Sequence, residues 1–186
     1  HQLDANKVGV VQIACGGMHA VALTHDSKVL TWGVNDDKAL GRDTFWEGGT
    51  RDVDAEDSDD EDGDDSGVNP KESTPGEVDL KAVLHPDAKL VQVAATDSAS
   101  FVLTDDGLVY GWGTFRGSDG IVGWTDAIRV MPNPTQITEL KNITRLACGS
   151  NHVLAMDKDG KVFTWGVGGQ FQLGRKTIAR RGHHAE

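Results

Sequence analysis

The sequence has few of the features that mark secreted, membrane-bound or covalently catalytic proteins. Only two of its 186 residues are cysteine, and no segment resembles a signal peptide or a membrane span. No pattern pairs a nucleophile with a base, spaces ligands for zinc, or forms a glycine-rich phosphate loop ending in Gly-Lys-Ser or Gly-Lys-Thr. We therefore expect an intracellular protein with no metal site and no cofactor.

Basic residues are absent from residues 52–65, which contain ten Asp or Glu. Removing those ten charges from the formal net charge of −11 leaves −1, so the remainder of the chain is nearly neutral. A self-repelling stretch with few apolar groups cannot bury a core, and we predict that an acidic insertion, residues 51–73, is disordered. It is either a solubilising loop or a segment that contacts basic partners or is regulated by phosphorylation, for example at Ser58.

What the chain does have is one long pattern written three times, at residues 10–41, 90–123 and 143–174. Aligning the copies without gaps superimposes Trp32, Trp112 and Trp165. Apolar residues alternate within each copy, which indicates short strands. Asp106-Gly107 and Asp159-Gly160 are typical of tight hairpin turns, and copy one has Asp26-Ser27 there.

These patterns predict four strands per copy, which is one blade of a β-propeller. Three blades do not close a ring, so we expect an all-β partial propeller that is part of a longer protein. The predicted first strands are Val10–Ala14, Val91–Ala95 and Thr144–Cys148; the second are His19–Thr24, Ala99–Thr104 and His152–Asp157; the third end at Trp-Gly; and the fourth are Pro75–Leu80 and Pro134–Ile137.

Two residue types recur at fixed repeat positions. Cys15 and Cys148 occupy the same position in different copies, so we expect them to be reduced, buried and not joined to each other. His19 and His152 also share a position, which favours an architectural role such as bonding a neighbouring group. The alternative is a binding role, because the start of the second strand lies near a rim of the ring.

Copy two departs from the pattern between its tryptophan and its closing glycine. Trp112 to Gly123 takes eleven residues, whereas Trp32 to Gly41 takes nine. A longer, glycine-flanked hairpin is predicted to project there as a wedge. Its residues are Phe115, Arg116, Gly117, Ser118, Asp119 and Gly120.

These repeats resemble the regulator of chromosome condensation family, whose repeats carry ACGxxH, ALTxDGxVxxWG and GQLG and build a seven-bladed propeller. Three segments look similar to the family's exchange factor for the small GTPase Ran: Gly16 to Thr44, the wedge segment, and LGRKTIARRG after copy three. The resemblance implies nucleotide exchange without covalent chemistry. It also implies a nuclear protein that acts on chromatin in nucleocytoplasmic transport and mitosis.

The resemblance also assigns roles to individual residues. The wedge residues match the segment that presses on the GTPase, and Asp97 matches an acidic position implicated in exchange. Asn151 stands where the exchange factor carries an acid, and Ala99 where the family usually has histidine. Asp97, Asn151, His19 and His152 are thus expected on the rim that faces the GTPase.

The last basic segment resembles the family's loop that meets the nucleosome. Its cations, expected to bind a histone surface or DNA, are Arg175, Lys176, Arg180 and Arg181. Because the same repeat serves proteins of unlike function, the alternative is a non-catalytic interaction propeller, such as the substrate-recruiting domain of a ubiquitin ligase.

Overall fold

The computed structural model describes residue 3 and residues 8–47 and 67–176. Its strands form three antiparallel sheets and a small hairpin. The strands are β1 Val10–Cys15, β2 His19–Thr24, β3 Val29–Gly33, β4 Gly76–Glu77, β5 Leu90–Ala95, β6 Ala99–Thr104, β7 Val109–Gly113, β8 Arg116–Gly117, β9 Gly120–Ile121, β10 Met131–Gln136, β11 Ile143–Cys148, β12 His152–Asp157 and β13 Val162–Gly166.

Each sheet corresponds to one copy of the repeat. Blade one is β1-β2-β3-β4, blade two is β5-β6-β7-β10, and blade three is β11-β12-β13 within the described residues. The second strands lie where the sequence predicts them, and each first strand is one residue longer than predicted. The fourth strands of blades one and two pair with the third, as expected.

The turns between second and third strands are built alike. The Thr24 and Thr104 hydroxyls accept the backbone N–H groups of Lys28 and Leu108, each at 3.0 Å. The turn then needs a positive φ, which is 82° at Gly107 and 60° at Ser27. Glycine adopts that conformation without the steric cost that serine carries, which explains the Asp-Gly signal.

Successive blades are joined first through their inner strands, β1, β5 and β11. The Gln12 amide bridges to β5, donating to Val91 O at 2.9 Å and accepting from Val93 N at 3.1 Å. Gln92 does the same one blade later with both backbone groups of Leu146, at 2.7 and 2.8 Å. These side chains supply hydrogen bonds that backbone pairing cannot, because the strands belong to different sheets.

A separate apolar core fills each of the two seams between blades. β6 lies between them, and its alternation sends Phe101 and Leu103 into the seam with blade three and Val102 into the seam with blade one. Every residue of β6 is buried. Blade two is therefore the central layer, held by apolar packing on both faces.

The first seam also contains a buried polar network. Ser100 Oγ donates to Ala39 O at 2.8 Å, and Trp112 Nε1 donates to the same carbonyl at 2.7 Å. His19 Nε2 lies 2.8 Å from Ser100 Oγ. This supports the predicted architectural role of His19, with a side-chain hydroxyl as its partner.

The second seam replaces this network with aromatic packing. The positions of His19 and Ser100 are taken by Ala99 and Val153, both fully buried. Phe115 packs there against Trp124, with ring centroids 5.0 Å apart, and against Phe101 at 6.3 Å. Trp165 Nε1, the counterpart of Trp112 Nε1, is buried without a hydrogen-bond partner among the described residues.

Two expectations about exposure were wrong. Phe115 was predicted within a projecting wedge, but its side chain is completely buried because the aromatic cluster gives it an apolar site. Cys15 was predicted to be buried, but it is exposed, whereas Cys148 is half-buried and burial raises the pKa of its thiol to about 12. Both cysteines are free, as predicted.

The end of the predicted disordered insertion is ordered. Residues 51–66 lie outside the described residues, but Pro70–Ser73 forms a helical turn, α1, because Asn69 caps it and proline suits its first position. The turn is tied to blade one by Asn69 Nδ2 donating to Thr44 O at 2.8 Å and by Lys71 Nζ donating to Phe45 O. No helix in the described ranges has the length and apolar character to cross a membrane.

We predict that Phe115→Ala lowers the free energy of unfolding by about 3–5 kcal/mol, because it empties a buried aromatic site. Phe45→Ala makes the same change at a side chain that is 69% exposed, so its effect stays within about 0.5 kcal/mol. Urea unfolding of both variants measures the difference. Equal losses would contradict the packing of Phe115.

We also predict that His19 makes stability depend on pH. Burial lowers the pKa of His19, opposed by a hydrogen bond with the Asp97 backbone and by the charges of Asp97 and Asp37. As pH falls below about 6.5, the unfolded chain takes up the proton before the folded protein does, so stability decreases until the folded pKa is reached.

The His19→Gln variant keeps an N–H donor and loses the titration. Its melting temperature should therefore fall less between about pH 7.5 and pH 5.5 than that of the unmodified protein. His25→Gln is the control, because His25 is exposed. Equal falls in all three proteins would contradict the prediction.

Candidate functional site at the rim

The turns between the first and second strands of the three blades lie side by side at one rim. Gly17 N donates to Asp97 O at 3.2 Å, and Asp97 N donates to Ser150 O at 2.7 Å. These bonds place Asp97 and Asn151, the residue after Ser150, on the same rim, as their positions in equivalent turns of the repeat predict. Asp97 is exposed and Asn151 is half-buried.

The predicted hairpin of copy two emerges at this rim. β8 and β9 pair through Arg116 with Ile121 and Gly117 with Gly120. Gly120 has a φ of 111°, which few other residues adopt. The Phe115 carbonyl closes the base by accepting the N–H groups of Val122 and Gly123, at 2.8 and 3.1 Å. The projecting part is thus Arg116 to Ile121, and we call it the rim hairpin.

The rim hairpin belongs to blade two but is tied to both neighbouring blades. Arg116 N donates to Asn151 Oδ1 of blade three at 3.2 Å. Its guanidinium donates through two nitrogens to the Asp37 carboxylate of blade one, at 2.6 and 2.5 Å. Sequence reasoning missed Asp37, whose partner lies 79 residues away.

Each member of this ion pair stabilises the charged form of the other. The Arg116 hydrogen bond lowers the pKa of the Asp37 carboxyl, with a further contribution from the Ser98 hydroxyl and opposition from partial burial. The same contact raises the pKa of Arg116. The Asp37 side chain is only 11% exposed and that of Arg116 46%, so the aspartate is the fixed partner and the arginine the outer one.

Asn151 also connects to Asp97, because its Nδ2 donates to Asp97 Oδ2 at 3.4 Å. The amide therefore accepts from the rim hairpin with its oxygen and donates to Asp97 with its nitrogen. A carboxylate has no donor for the second bond when ionised. Asp97, Asn151 and Arg116 thus form one connected network with Asp37.

The two predicted rim histidines pack over glycines of the turns that precede their strands. His19 is only 6% exposed and is turned into the first seam. Its ring occupies the space over Gly16, where an added Cβ would lie 2.2 Å from it. His152 lies over Gly149 in the same manner, at 2.1 Å.

Blade two confirms this pairing by changing both positions together. Ala99 replaces the histidine, and Thr96 replaces the glycine. The Thr96 hydroxyl accepts Ala99 N at 3.0 Å. The glycine at this repeat position therefore makes room for the imidazole ring, and the buried His19 does not lie on a free rim surface.

The predicted basic segment divides into separate roles. Arg175 turns inward, donating to Thr164 Oγ at 3.3 Å and to Thr164 O at 2.7 Å. Arg42 makes the same two contacts with Thr31 in blade one, at 3.1 and 2.8 Å. Arg175 is therefore held against the third strand of blade three, and its assignment to chromatin stays a prediction. Lys176 is described, whereas Arg180 and Arg181 lie outside the described residues.

The rim offers groups for binding rather than for bond cleavage. It presents a guanidinium–carboxylate pair, an amide, an exposed carboxylate at Asp97 and a two-stranded projection. Among the described residues, no three His, Cys, Asp or Glu side chains are grouped to hold a metal ion. Such a surface suits recognition of another macromolecule.

Comparison with known proteins gives similar relatives over nearly the whole chain. Protein pim1 of Schizosaccharomyces pombe and Guanine nucleotide exchange factor SRM1 of Saccharomyces cerevisiae are each 44% identical to it and align with 96% of it. The chain spans only 30% and 38% of their respective lengths.

A solved structure agrees with the fold. Prp20p of Saccharomyces cerevisiae, whose structure was described with its binding properties to Gsp1p and histones, superimposes with a TM-score of 0.80 at 37% identity. It covers 97% of this chain, which covers 37% of Prp20p. The predicted all-β propeller architecture is confirmed, with blades one to three as consecutive blades.

The family model for the RCC1-like domain matches residues 1–186. That match extends over the three repeats, the acidic insertion and the basic segment. The chain therefore belongs to the RCC1-like domain family, the regulator of chromosome condensation family that its repeats resemble.

Proposed function

We propose that the protein containing this chain is a guanine nucleotide exchange factor for the small GTPase Ran, and that the rim hairpin is its wedge. The observation that carries the proposal is the fixation of this hairpin between blades one and three, by Asp37 and Asn151. The similarity to an exchange factor, SRM1, supports the reaction class.

Exchange needs no bond to form or break within the protein. A partner that binds the nucleotide-free GTPase more tightly than the loaded one must weaken nucleotide binding by the same factor. A projection that is already ordered loses little conformational entropy when it presses against the GTPase. More of its binding energy then remains to destabilise the bound nucleotide.

Asp97 and Asn151 have different parts in this proposal. Asp97 is exposed beside the hairpin, and its negative charge competes for the cationic groups of the GTPase that hold phosphate. Asn151 is neutral and acts by holding the hairpin backbone. Phe115 supports the hairpin from the core and does not touch the GTPase.

We further propose a nuclear location and binding to chromatin. The Prp20p structure was described together with histone binding, and the basic segment of this chain continues past Lys176 to Arg180 and Arg181. Cations in a row neutralise DNA phosphate or an acidic histone surface. In this proposal, exchange on chromatin in the nucleus serves nucleocytoplasmic transport and mitosis.

We predict that replacing Gly117 to Gly120 by two glycines lowers kcat/KM for release of a fluorescent GDP analogue from Ran by at least about tenfold, a loss of about 1.4 kcal/mol of transition-state stabilisation. The measurement uses the complete protein that contains this chain. Lys158→Ala, at an exposed residue in the β12–β13 turn, is the control and should leave release unchanged.

Two results would overturn this proposal in different ways. If the intact protein does not accelerate release, the exchange function is wrong and a non-catalytic interaction propeller is favoured. If the shortened hairpin accelerates release as well as the intact protein does, exchange stands and the wedge assignment is wrong.

We predict that changing Lys176, Arg180 and Arg181 together to Gln weakens nucleosome binding. The slope of the logarithm of the binding constant against the logarithm of the salt concentration should decrease in magnitude by up to about three, or about one for each lost phosphate contact. Binding is measured by titration at several salt concentrations. Arg175→Gln is the contrasting variant, because it removes the two contacts to Thr164 and should lower the melting temperature. An unchanged salt dependence in the triple variant would contradict the assignment.

A further inference from the structure

We propose that Asp37 is a positioning residue for exchange: it orders the rim hairpin of blade two from blade one. The inference rests on the proposed function for its effect on exchange, but its structural part concerns the hairpin alone. Asp37 lies in the loop that follows β3 and leads to the closing Gly41 of the first repeat, and it is 79 residues before Arg116 in the sequence.

The rim hairpin cannot order itself. Its two strands have two residues each and pair at only two positions, and hairpins of that size are not stable alone in water. Its tip, Ser118-Asp119, is exposed. The order of its projecting part must therefore come from contacts with neighbouring segments.

Among those contacts, the Asp37 pair is the most directional. Two nitrogens of one guanidinium meet both oxygens of one carboxylate, at 2.6 and 2.5 Å. A bidentate pair fixes the orientation of the arginine as well as its distance. The Asn151 contact at 3.2 Å holds the backbone of the same residue from the opposite side.

Asp37 is suited to this task because its own loop is held firmly. Asn35 is buried, and its side chain accepts Leu40 N at 3.0 Å and donates to Arg42 O at 3.1 Å. Two residues after Asp37, the Ala39 carbonyl accepts hydrogen bonds from blade two. The carboxylate is thereby presented at a fixed position relative to the hairpin.

Loss of the charge should increase hairpin motion without unfolding the blades. In Asp37→Asn the side chain keeps its size but loses the bidentate ionic contact. We expect kcat for GDP release from Ran to fall about 3- to 10-fold with KM nearly unchanged, because the hairpin interacts most strongly as nucleotide leaves. The melting temperature should change little, since the Arg116 side chain is exposed to solvent.

Asp36→Asn is the matched control. It removes the same charge from the neighbouring residue of the same loop, where Asp36 is exposed. We expect wild-type kcat and KM from it. The double variant Asp37→Arg with Arg116→Asp rebuilds an ion pair with reversed polarity, and partial recovery of kcat relative to Asp37→Asn is expected.

A second readout does not depend on exchange. A spin label at Ser118→Cys reports hairpin motion in a background where Cys15 and any reactive cysteine elsewhere in the complete protein are replaced by Ser. The half-buried Cys148, whose pKa is raised to about 12, reacts poorly. The electron paramagnetic resonance lines of the label should narrow when Asp37→Asn is added, because a more mobile hairpin gives a more mobile label. They should stay unchanged when Asp36→Asn is added. Unchanged lines in the Asp37→Asn protein would overturn the inference.

The two readouts separate the possible failures. If the intact protein does not accelerate GDP release, the proposed function fails, and the spin label alone decides whether Asp37 orders the hairpin. If the intact protein is active and Asp37→Asn keeps its full kcat, Asp37 is not a positioning residue for exchange.

Discussion

Two hydrogen bonds to one carbonyl oxygen, that of Ala39, fix a loop of blade one against blade two. Trp112 and Ser100 donate to it from blade two, and both donors are fully buried. Buried donors without this acceptor would each cost about 1–3 kcal/mol. The loop that carries Ala39 therefore has one position, and Asp37, two residues earlier in that loop, inherits it.

The second seam shows which contacts change when a blade carries the rim hairpin. Counted back from the closing glycine, Ile121 takes the place of Ala39. Its carbonyl accepts from the Arg129 guanidinium instead of from a tryptophan of the next blade. Trp165 Nε1 is left without a partner among the described residues, and Phe115, with Phe101 and Trp124, fills the seam.

This substitution explains why the rim hairpin and the buried network do not occur in the same seam. The two extra residues of copy two redirect the chain between Trp112 and Gly123, so the carbonyl no longer points at the next blade. The aromatic cluster offsets the loss with apolar burial, at about 25 cal/mol per Å². The same cluster anchors the base of the hairpin through Phe115.

Local patterns were sufficient to predict much of this molecule. Period-two alternation located the strands, and the repeat register placed Asp97 and Asn151 in equivalent turns at one rim. The Asn69-Pro70 pair also marked the start of α1 in the sequence and was overlooked. Likewise, Leu-Gly-Arg occurs at both Arg42 and Arg175, and that recurrence indicated a structural arginine.

Contacts between blades were the part that sequence could not give. Nothing near Asp37 indicates a partner 79 residues away, and loop length alone does not say whether Phe115 faces the core or the solvent. Alternation within a strand depends on backbone geometry, which is local. Pairing across a seam depends on the positions of two sheets, which three-dimensional packing decides.

Asn151 illustrates how such a contact changes the interpretation of a residue. The family's exchange factor carries an acid at this position, so the sequence alone indicated that Asn151 had lost a charge. In the structure its nitrogen lies 3.4 Å from Asp97 Oδ2 and its oxygen accepts the backbone of Arg116. A carboxylate there would face Asp97 with like charge, and the repulsion would favour protonation of one of the two. The Asn151 amide instead connects two parts of blade two, the turn that carries Asp97 and the rim hairpin. The neutral residue therefore helps to order the rim hairpin, whereas an acid would add negative charge to the rim.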